Sequence, residues 1–430
     1  MKKILLFSIL VLLISACLPQ DVQVPQSPLL PVLERKSGLI AYIGLDGNIY
    51  VTDQSGRTPS ALTADAAIPQ DQSSPFRYYQ NPTWSEDGSQ LAYVAVIGNG
   101  GKQTLSEMFV ANVDDETSNK VYSSDTEHPF YLYWSPDNQN VSFLSSDAAG
   151  QSLLLQRVSV DGGKRVILDA GSPYYWSWAP DGNTMIVHTG NVNSTIPEHI
   201  AFLQVDSEII EDSVDIGPAS FQAPAWSPDG SRILLTRLND DEKKEIALFS
   251  STGEFEKAIG TFEATTSFAW STDSQLMAYI EGDQAITAGT LGKLHVMDLT
   301  TSEDFFQDED VFAFFWSPNS EKLAYFKPRL VEGNSSNQQL LLELHVLDVP
   351  SGESKQVLPF PFQPTNQFSA VLPYFDQYHQ SATIWSPDSN NLVLSFQDAD
   401  GNPGIAIVAA SGQLEPRLLT DGYLAFWSWK

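Results

Sequence analysis

The sequence predicts an all-β protein, an eight-bladed β-propeller, and three observations carry that reading. A short phrase built on tryptophan and a tight turn recurs seven times. An apolar residue follows each of those tryptophans at an offset of seven positions that never varies. The two halves of an eighth repeat lie at opposite ends of the chain.

The phrase stands as Trp84-Ser85-Glu86-Asp87-Gly88, Trp134-Ser135-Pro136-Asp137-Asn138, Trp178-Ala179-Pro180-Asp181-Gly182, Trp226-Ser227-Pro228-Asp229-Gly230, Trp270-Ser271-Thr272-Asp273-Ser274, Trp316-Ser317-Pro318-Asn319-Ser320 and Trp385-Ser386-Pro387-Asp388-Ser389. Proline second, Asp or Asn third and Gly, Asn or Ser fourth suit a type I turn whose last residue tolerates the left-handed region. Such a turn joins two antiparallel strands: the Trp closes the first, and Leu91, Val141, Met185, Ile233, Met277, Leu323 or Leu392 opens the second. Recurrence at this period marks repeats of one supersecondary unit and not separate domains.

The third strand of each unit is apolar and ends in a turn, as in Asn48 to Asp53, Val158 to Gly162, Leu294 to Asp298, Leu344 to Asp348 and Ile405 to Val408. A shorter fourth follows, as in Ala61 to Thr63, Val166 to Leu168 and Leu418 to Thr420. Four antiparallel strands make one blade.

Ile40-Ala41-Tyr42 matches the second-strand triplets but has no Trp turn before it. Tyr423 to Ser428 repeats the strand that precedes each turn, and the turn itself does not follow. The C-terminus is therefore expected to supply the first strand of a blade begun at the N-terminus, which removes free sheet edges. First strands ending at Trp84, Trp134, Trp178, Trp226, Trp270, Trp316, Trp385 and Trp427 give the count of eight.

Ahead of the repeats, Met1-Lys2-Lys3 is a basic start, Ile4 to Ile14 an apolar run too short to span a bilayer, and Ser15-Ala16 a small-residue cleavage site. Ile14-Ser15-Ala16-Cys17 resembles the lipobox of bacterial lipoproteins. That resemblance implies a signal peptide over residues 1–16, acylation of Cys17 and a domain held outside the cytoplasm on a lipid anchor. Residues 17–37, with Pro19, Pro25, Pro28 and Pro31, read as a semi-extended spacer, and 38–430 as the propeller. Leu18 after the Cys implies, by the same likeness, an outer-membrane address in a two-membrane cell and the outer leaflet in a one-membrane cell. Cys17 is the one cysteine, so no intramolecular disulfide can form.

A net charge of -30 argues against nucleic acid, whose phosphates need Lys and Arg, and against anionic lipid headgroups. It gives a soluble, self-repelling surface. A monomer is expected.

The Trp-Ser-Pro-Asp-Gly phrase with its Ile/Leu-Ala-Tyr/Phe triplet resembles the WD-repeat-like propeller of TolB and the propellers of dipeptidyl peptidase IV and prolyl oligopeptidase relatives. The likeness covers residues 38 to 430 and implies the fold. Function does not follow from it, because propellers host unrelated activities. Nothing between Cys17 and Gly38 matches the α/β domain that TolB carries ahead of its propeller. No Gly-x-Ser-x-Gly elbow of the peptidases occurs.

Spacings between successive tryptophans are 50, 44, 48, 44, 46, 69 and 42 residues. With the Trp turns constant, the surplus is expected in the connections from second to third and from fourth to first strands, which share one side of the disc. That variable-loop face is where binding is expected. Phe76, Tyr78 and Tyr79, then Phe130 and Tyr131, then Tyr174, Tyr175 and Trp176 stand at consecutive junctions. The longest insertion, Pro359 to Thr383, adds Tyr374, Tyr378 and His379. Such rings suit a protein, peptide or glycan ligand, and they equally suit packing of the loops over the blades. The repeated tryptophans read as structural.

His128, His188, His199 and His379 fall on the same face near Asp125, Glu127, Glu198 and Asp376, and a catalytic site would need them to converge. His295 and His345 occupy matching places in successive third strands. Asp398 to Asn402 is part of a calcium-loop pattern without its later acidic ligand and reads as a turn. No cofactor and no metal is implied. Three functions fit: a tethered binding module, an extracytoplasmic hydrolase or lyase with an acid/base site on the loop face, and a structural subunit of an envelope complex.

Overall fold

The computed structural model describes residues 38–430 except 70, 72, 191–197, 207, 215, 218, 283–288 and 333–337. The expectations for residues 1–37, lipidation of Cys17 among them, lie outside the described residues. The described residues form eight four-stranded antiparallel sheets. We number as blades 1 to 7 those whose first strands lead to Trp84, Trp134, Trp178, Trp226, Trp270, Trp316 and Trp385, and as blade 8 the one that closes the ring.

Closure occurs as the sequence predicts. Leu424–Trp427 lies beside Ile40–Ile43, with Ile40 opposite Trp427 and Ile43 opposite Leu424, so blade 8 takes its first strand from the C-terminus. Ile40, Ala41, Phe426 and Trp427 are all buried.

The fixed offset of seven is strand register: Trp84 faces Leu91, Trp134 Val141, Trp178 Met185, Trp226 Ile233, Trp270 Met277, Trp316 Leu323 and Trp385 Leu392. In each turn the fourth residue donates its N–H to the first residue's carbonyl, at 2.8 to 3.0 Å, from Gly88 to Ser85 through Ser389 to Ser386. That fourth residue has positive φ whether it is Gly88 (72°) or Asn138 (57°). Where the first residue is Ser, its hydroxyl binds the turn's Asp or Asn and accepts a backbone N–H five residues on, as with Ser85, Asp87 and Gln90. The repeated serines and aspartates are thus occupied in holding their own turns.

Neighbouring blades are joined by the indoles. Trp84, Trp134, Trp270, Trp316 and Trp385 donate Nε1–H to the carbonyls of Phe426, Thr83, Ala225, Ala269 and Phe315, in each case the residue before the preceding blade's Trp. A buried indole N–H needs an acceptor, and the free inner edge of the next blade supplies one. The pattern breaks at blades 3, 4 and 8. Trp226 turns back to Gly230 of its own turn, and the Nε1 atoms of Trp178 and Trp427 are buried without a partner.

One element departs from the expected layout. The insertion before Trp385 is not a loop between blades: it interrupts the first strand of blade 7. Gln363–Pro364 pairs with Gln397 and Phe396 at the loop-face end, the chain leaves the sheet, and only at Trp385 does it pair again, with Leu392. Between lie α1 (Asn366–Val371), a 3-10 turn (Leu372–Tyr374) and α2 (Phe375–Tyr378). Thr365 caps α1, accepting from Phe368 N and donating to the carbonyl of Tyr423 in blade 8.

Candidate functional site

The helical insertion fills the propeller axis. In most blades the first strand is an inner edge, whose N–H and C=O groups need partners when buried. Gln377 supplies them for blade 3: its Oε1 accepts from Trp176 N (3.0 Å) and its Nε2 donates to Trp176 O (2.9 Å), so that one carboxamide stands where a neighbouring peptide group would. The second Nε2 hydrogen goes to Tyr131 Oη in blade 2, which in turn donates to the Gln377 carbonyl, both at 2.8 Å. Asp376 accepts from Ala223 N ahead of blade 4's first strand (3.2 Å), and Gln380 donates to Pro224 O. On the other side Phe375 packs on Phe314 and Phe368 on Phe326, both of blade 6, with Phe368, Leu372 and Phe375 at most 1% exposed.

Burial without a cationic partner raises the Asp376 carboxyl to about 6, against the lowering effect of backbone N–H groups from Ala223 and Gln377. His379, at the end of the plug, is pushed down to about 4 by the same desolvation, and its Nδ1 has no partner.

At the other end of the axis the plug leaves a cavity of about 520 Å³. Its floor is the returning segment from His379 to Thr383. Its walls are Trp84, Tyr133, Trp134, Trp178, Trp226, Trp270, Phe315, Trp316 and Trp429, and its rim is made by the Trp turns, with Glu86, Pro136, Pro180, Pro228 and Thr272. The cavity therefore opens on the turn face, opposite the variable loops. Tyr133, Trp226 and Trp429 are half-buried and offer the most ring surface, whereas Trp84, Trp134 and Trp178 are 2 to 3% exposed. Equivalent tryptophans do converge here, because the ends of innermost strands are the part of a propeller where all blades meet. The expectation that they serve packing holds for all but Trp226, which is half-buried.

The expected aromatic face on the loop side is not a surface. Tyr79, Tyr131, Tyr174 and Trp176 are at most 4% exposed. Tyr131 and Trp176 are sealed by the plug, and Tyr378, itself a plug residue, meets the Tyr131 ring edge-on at 4.9 Å. Tyr174 donates to Asp169 (2.7 Å), and Tyr79 to Asp65. Phe76 and Tyr78 stack on each other and are half-buried, as is Tyr175 against Phe221. Phe130 and Tyr374 are exposed, at 37% and 42%. The rings were expected as one patch, but Tyr79, Tyr131, Tyr174 and Trp176 are core, Tyr131 and Trp176 through the insertion.

The histidines do not converge. His188 is buried between Gln222 O and Glu198, and His128 Nδ1 meets Ser106 Oγ at 3.0 Å. His199 is the one with relay geometry: Nδ1 lies 3.0 Å from Thr189 Oγ1 and Nε2 2.8 Å from Glu211. A hydroxyl, an imidazole and a carboxylate in that order could activate a nucleophile. Thr189, however, is 1% exposed, as Ser106 is 0%, so neither hydroxyl meets a substrate as folded. His295 and His345 stack on Tyr279 and Tyr325 at equivalent places, as repeat positions should. Asp398 accepts from Asp400 N and Asn402 N within its own turn. Among the described residues no three His, Cys, Asp or Glu side chains are grouped to hold a metal ion.

No protein-family model matches the chain, and no curated protein sequence matches it. Solved structures do. Dihydro-heme d1 dehydrogenase NirN in complex with DHE aligns at TM-score 0.54 and 12% identity over 96% of this chain and 78% of that one. A prolyl endopeptidase aligns at 0.52 and 12% over 80% of this chain, which spans about half (49%) of that protein. TolB from Acinetobacter baumannii is matched over 75% of this chain and 77% of its own at 12% identity, with a TM-score of 0.33 that is too low to argue from. The likeness shows a β-propeller fold. At 12% identity the fold is all that it shows, and a fold does not choose between catalysis and binding.

One sequence signal for the cavity exists. Five of the seven turns carry Pro in second place, and Glu86 and Thr272 are the two departures. Both line the rim.

Proposed function

We propose that the protein is a binding module of the cell envelope, tethered through acylated Cys17 on the extracytoplasmic side, which takes its protein, peptide or glycan ligand into the aromatic cavity of the turn face. The observation that carries this reading is the plug: it fills the axis from the loop side and leaves one end as a concave, aromatic-lined site of the size range, about 300 to 1,000 Å³, in which ligands are usually held. The tether rests on the lipobox-like Ile14-Ser15-Ala16-Cys17. Among the described residues no helix is long and apolar enough to cross a membrane.

The test is a peptide and glycan array probed with the full chain in detergent, beside Tyr133→Ala/Trp226→Ala and beside Phe130→Ala/Tyr374→Ala. Retention lost with the first pair and kept with the second supports the reading. The reverse would return the site to the loop face. The catalytic alternative is favoured by the Thr189, His199 and Glu211 relay alone, and it requires an opening of blade 3 that brings Thr189 to solvent.

A further inference from the structure

The cavity's chemistry narrows the ligand, given the reading above. Its polar side chains are mostly engaged inside the protein. Ser135 and Ser227 hold their turns, and Ser177 accepts from Trp226 N. Thr272 binds Pro318 O, and Thr383 accepts from Trp385 N. A sugar, which needs several directional hydrogen bonds per ring, finds few free partners.

No Lys or Arg lines the cavity, so an anionic ligand has no counter-charge. What remains free and exposed is the Glu86 carboxylate, whereas the unpartnered Nδ1 of His379 on the floor is buried. The Glu86 backbone N–H is held by Asn138 Oδ1, while its side chain, exposed, has no partner among the described residues. It lines the same cavity as Tyr133, whose phenol is held protonated first by burial and then by the Glu86 charge. Asp87, Asp137, Asp181, Asp229, Asp273 and Asp388 occupy equivalent positions in the turns and hold them, and none lines the cavity, so Glu86 is the charged side chain on its rim. Aromatic faces that share a cavity with a carboxylate and with no cationic side chain are a site for an organic cation.

We propose that the turn-face cavity binds a basic segment of a partner polypeptide, with an arginine or lysine side chain seated among Tyr133, Trp226 and Trp429 and paired with Glu86. The net charge of -30 favours approach of a basic segment, and the aromatic rings hold it. Arginine is favoured over lysine because its planar guanidinium stacks on indole and meets a carboxylate with two N–H groups.

The test is titration of the full chain in detergent with acetylated tetra-arginine, tetra-glutamate and tetra-alanine amides, with tetramethylammonium and with cellohexaose. Indole fluorescence and calorimetry read binding, at about 0.15 M salt, where long-range attraction is largely screened. Tetra-arginine is expected to bind and the other peptides not. Trp226→Ala should weaken it about two- to thirtyfold, the range of a cation over an indole, and Glu86→Gln, on an exposed position that leaves the fold intact, about two- to fivefold. Tetra-arginine binding that neither variant changes would overturn the proposal. So would preference for cellohexaose or tetramethylammonium; if Trp226→Ala weakens that binding while Glu86→Gln does not, the cavity stands as the site and only the ligand class falls. If no probe responds to Trp226→Ala, both the ligand class and the cavity reading fall.

Discussion

The Trp turns and the axial plug solve the same problem, the satisfaction of backbone groups at the centre of a ring, in opposite ways. Each Trp turn is closed within six residues: Ser85, Asp87, Gly88 and Gln90 satisfy one another, and the same bonds recur in the five other turns that begin with Ser. The plug is single and non-local. Gln377 reaches residues 201 and 246 positions away in sequence, and Asp376 one 153 positions away. Repetition makes the turns robust and leaves their ends free to form a cavity, while the plug closes the other end and makes the ring's inner edges part of one core.

The comparison can be broken at its strongest point by Trp385→Ala, which empties a fully buried indole site and strands the Phe315 carbonyl. A loss of about 3 to 5 kcal/mol in urea unfolding is expected. The half-buried Trp226, whose indole N–H bonds to its own turn, should cost less than half as much when replaced by Ala. Equal losses would mean that the blade-to-blade indole bonds and the burial behind them do not set the difference.

Gln377→Ala should cost about 2 to 4 kcal/mol, because it leaves Trp176 N, Trp176 O and Tyr131 Oη buried with broken pairs. Hydrogen exchange at the Trp176 amide should accelerate while that at Gly88, inside a Trp turn, stays unchanged. A uniform acceleration would show that plug and turns open together.

The plug also carries two groups whose pH effects oppose one another. Asp376 has a folded pKa raised from 3.8 to about 6, so its contribution is full below about pH 4 and is lost as pH rises through 6. His379 has a folded pKa lowered from 6.5 to about 4, so its contribution is full above about pH 6.5 and is lost as pH falls through 4. Each swing is on the order of 3 kcal/mol, and across the shared window they cancel. Stability plotted against pH should be flat there in the native chain, rise with pH in Asp376→Asn, and fall with pH in His379→Gln. Matching slopes in the two variants would contradict the assignment. The smallest effect is expected from Glu86→Gln, within about 0.5 kcal/mol of the native stability, since the side chain has no partner to lose.

The turns were legible from sequence because the chemistry that makes them is local: a seven-residue offset is a register, and Asp with Gly or Asn is a turn. Closure was legible because Ile40-Ala41-Tyr42 and Phe426-Trp427 are recognisable halves of the same unit. The plug was not, although its 69-residue spacing was plain. Nothing in Asn366 to Tyr378 says that a strand has been interrupted and not merely preceded by a loop, and the partners of Gln377 become neighbours only once the ring has closed. For the same reason Tyr131 and Trp176 read as a surface when they are core. The cavity followed from the plug's position, and its local sign was Glu86 and Thr272 standing where the other five turns have proline.

Hydroxyl-radical footprinting of the native chain, read residue by residue by mass spectrometry, tests the seated plug most directly. Tyr131, Tyr174 and Trp176 should be as protected as Trp385 and Trp427, with Tyr133, Trp226 and Trp429 modified faster. Tyr131 and Trp176 reacting as readily as the exposed Tyr374, with Trp226 protected, would place the open end of the axis on the loop face and contradict it.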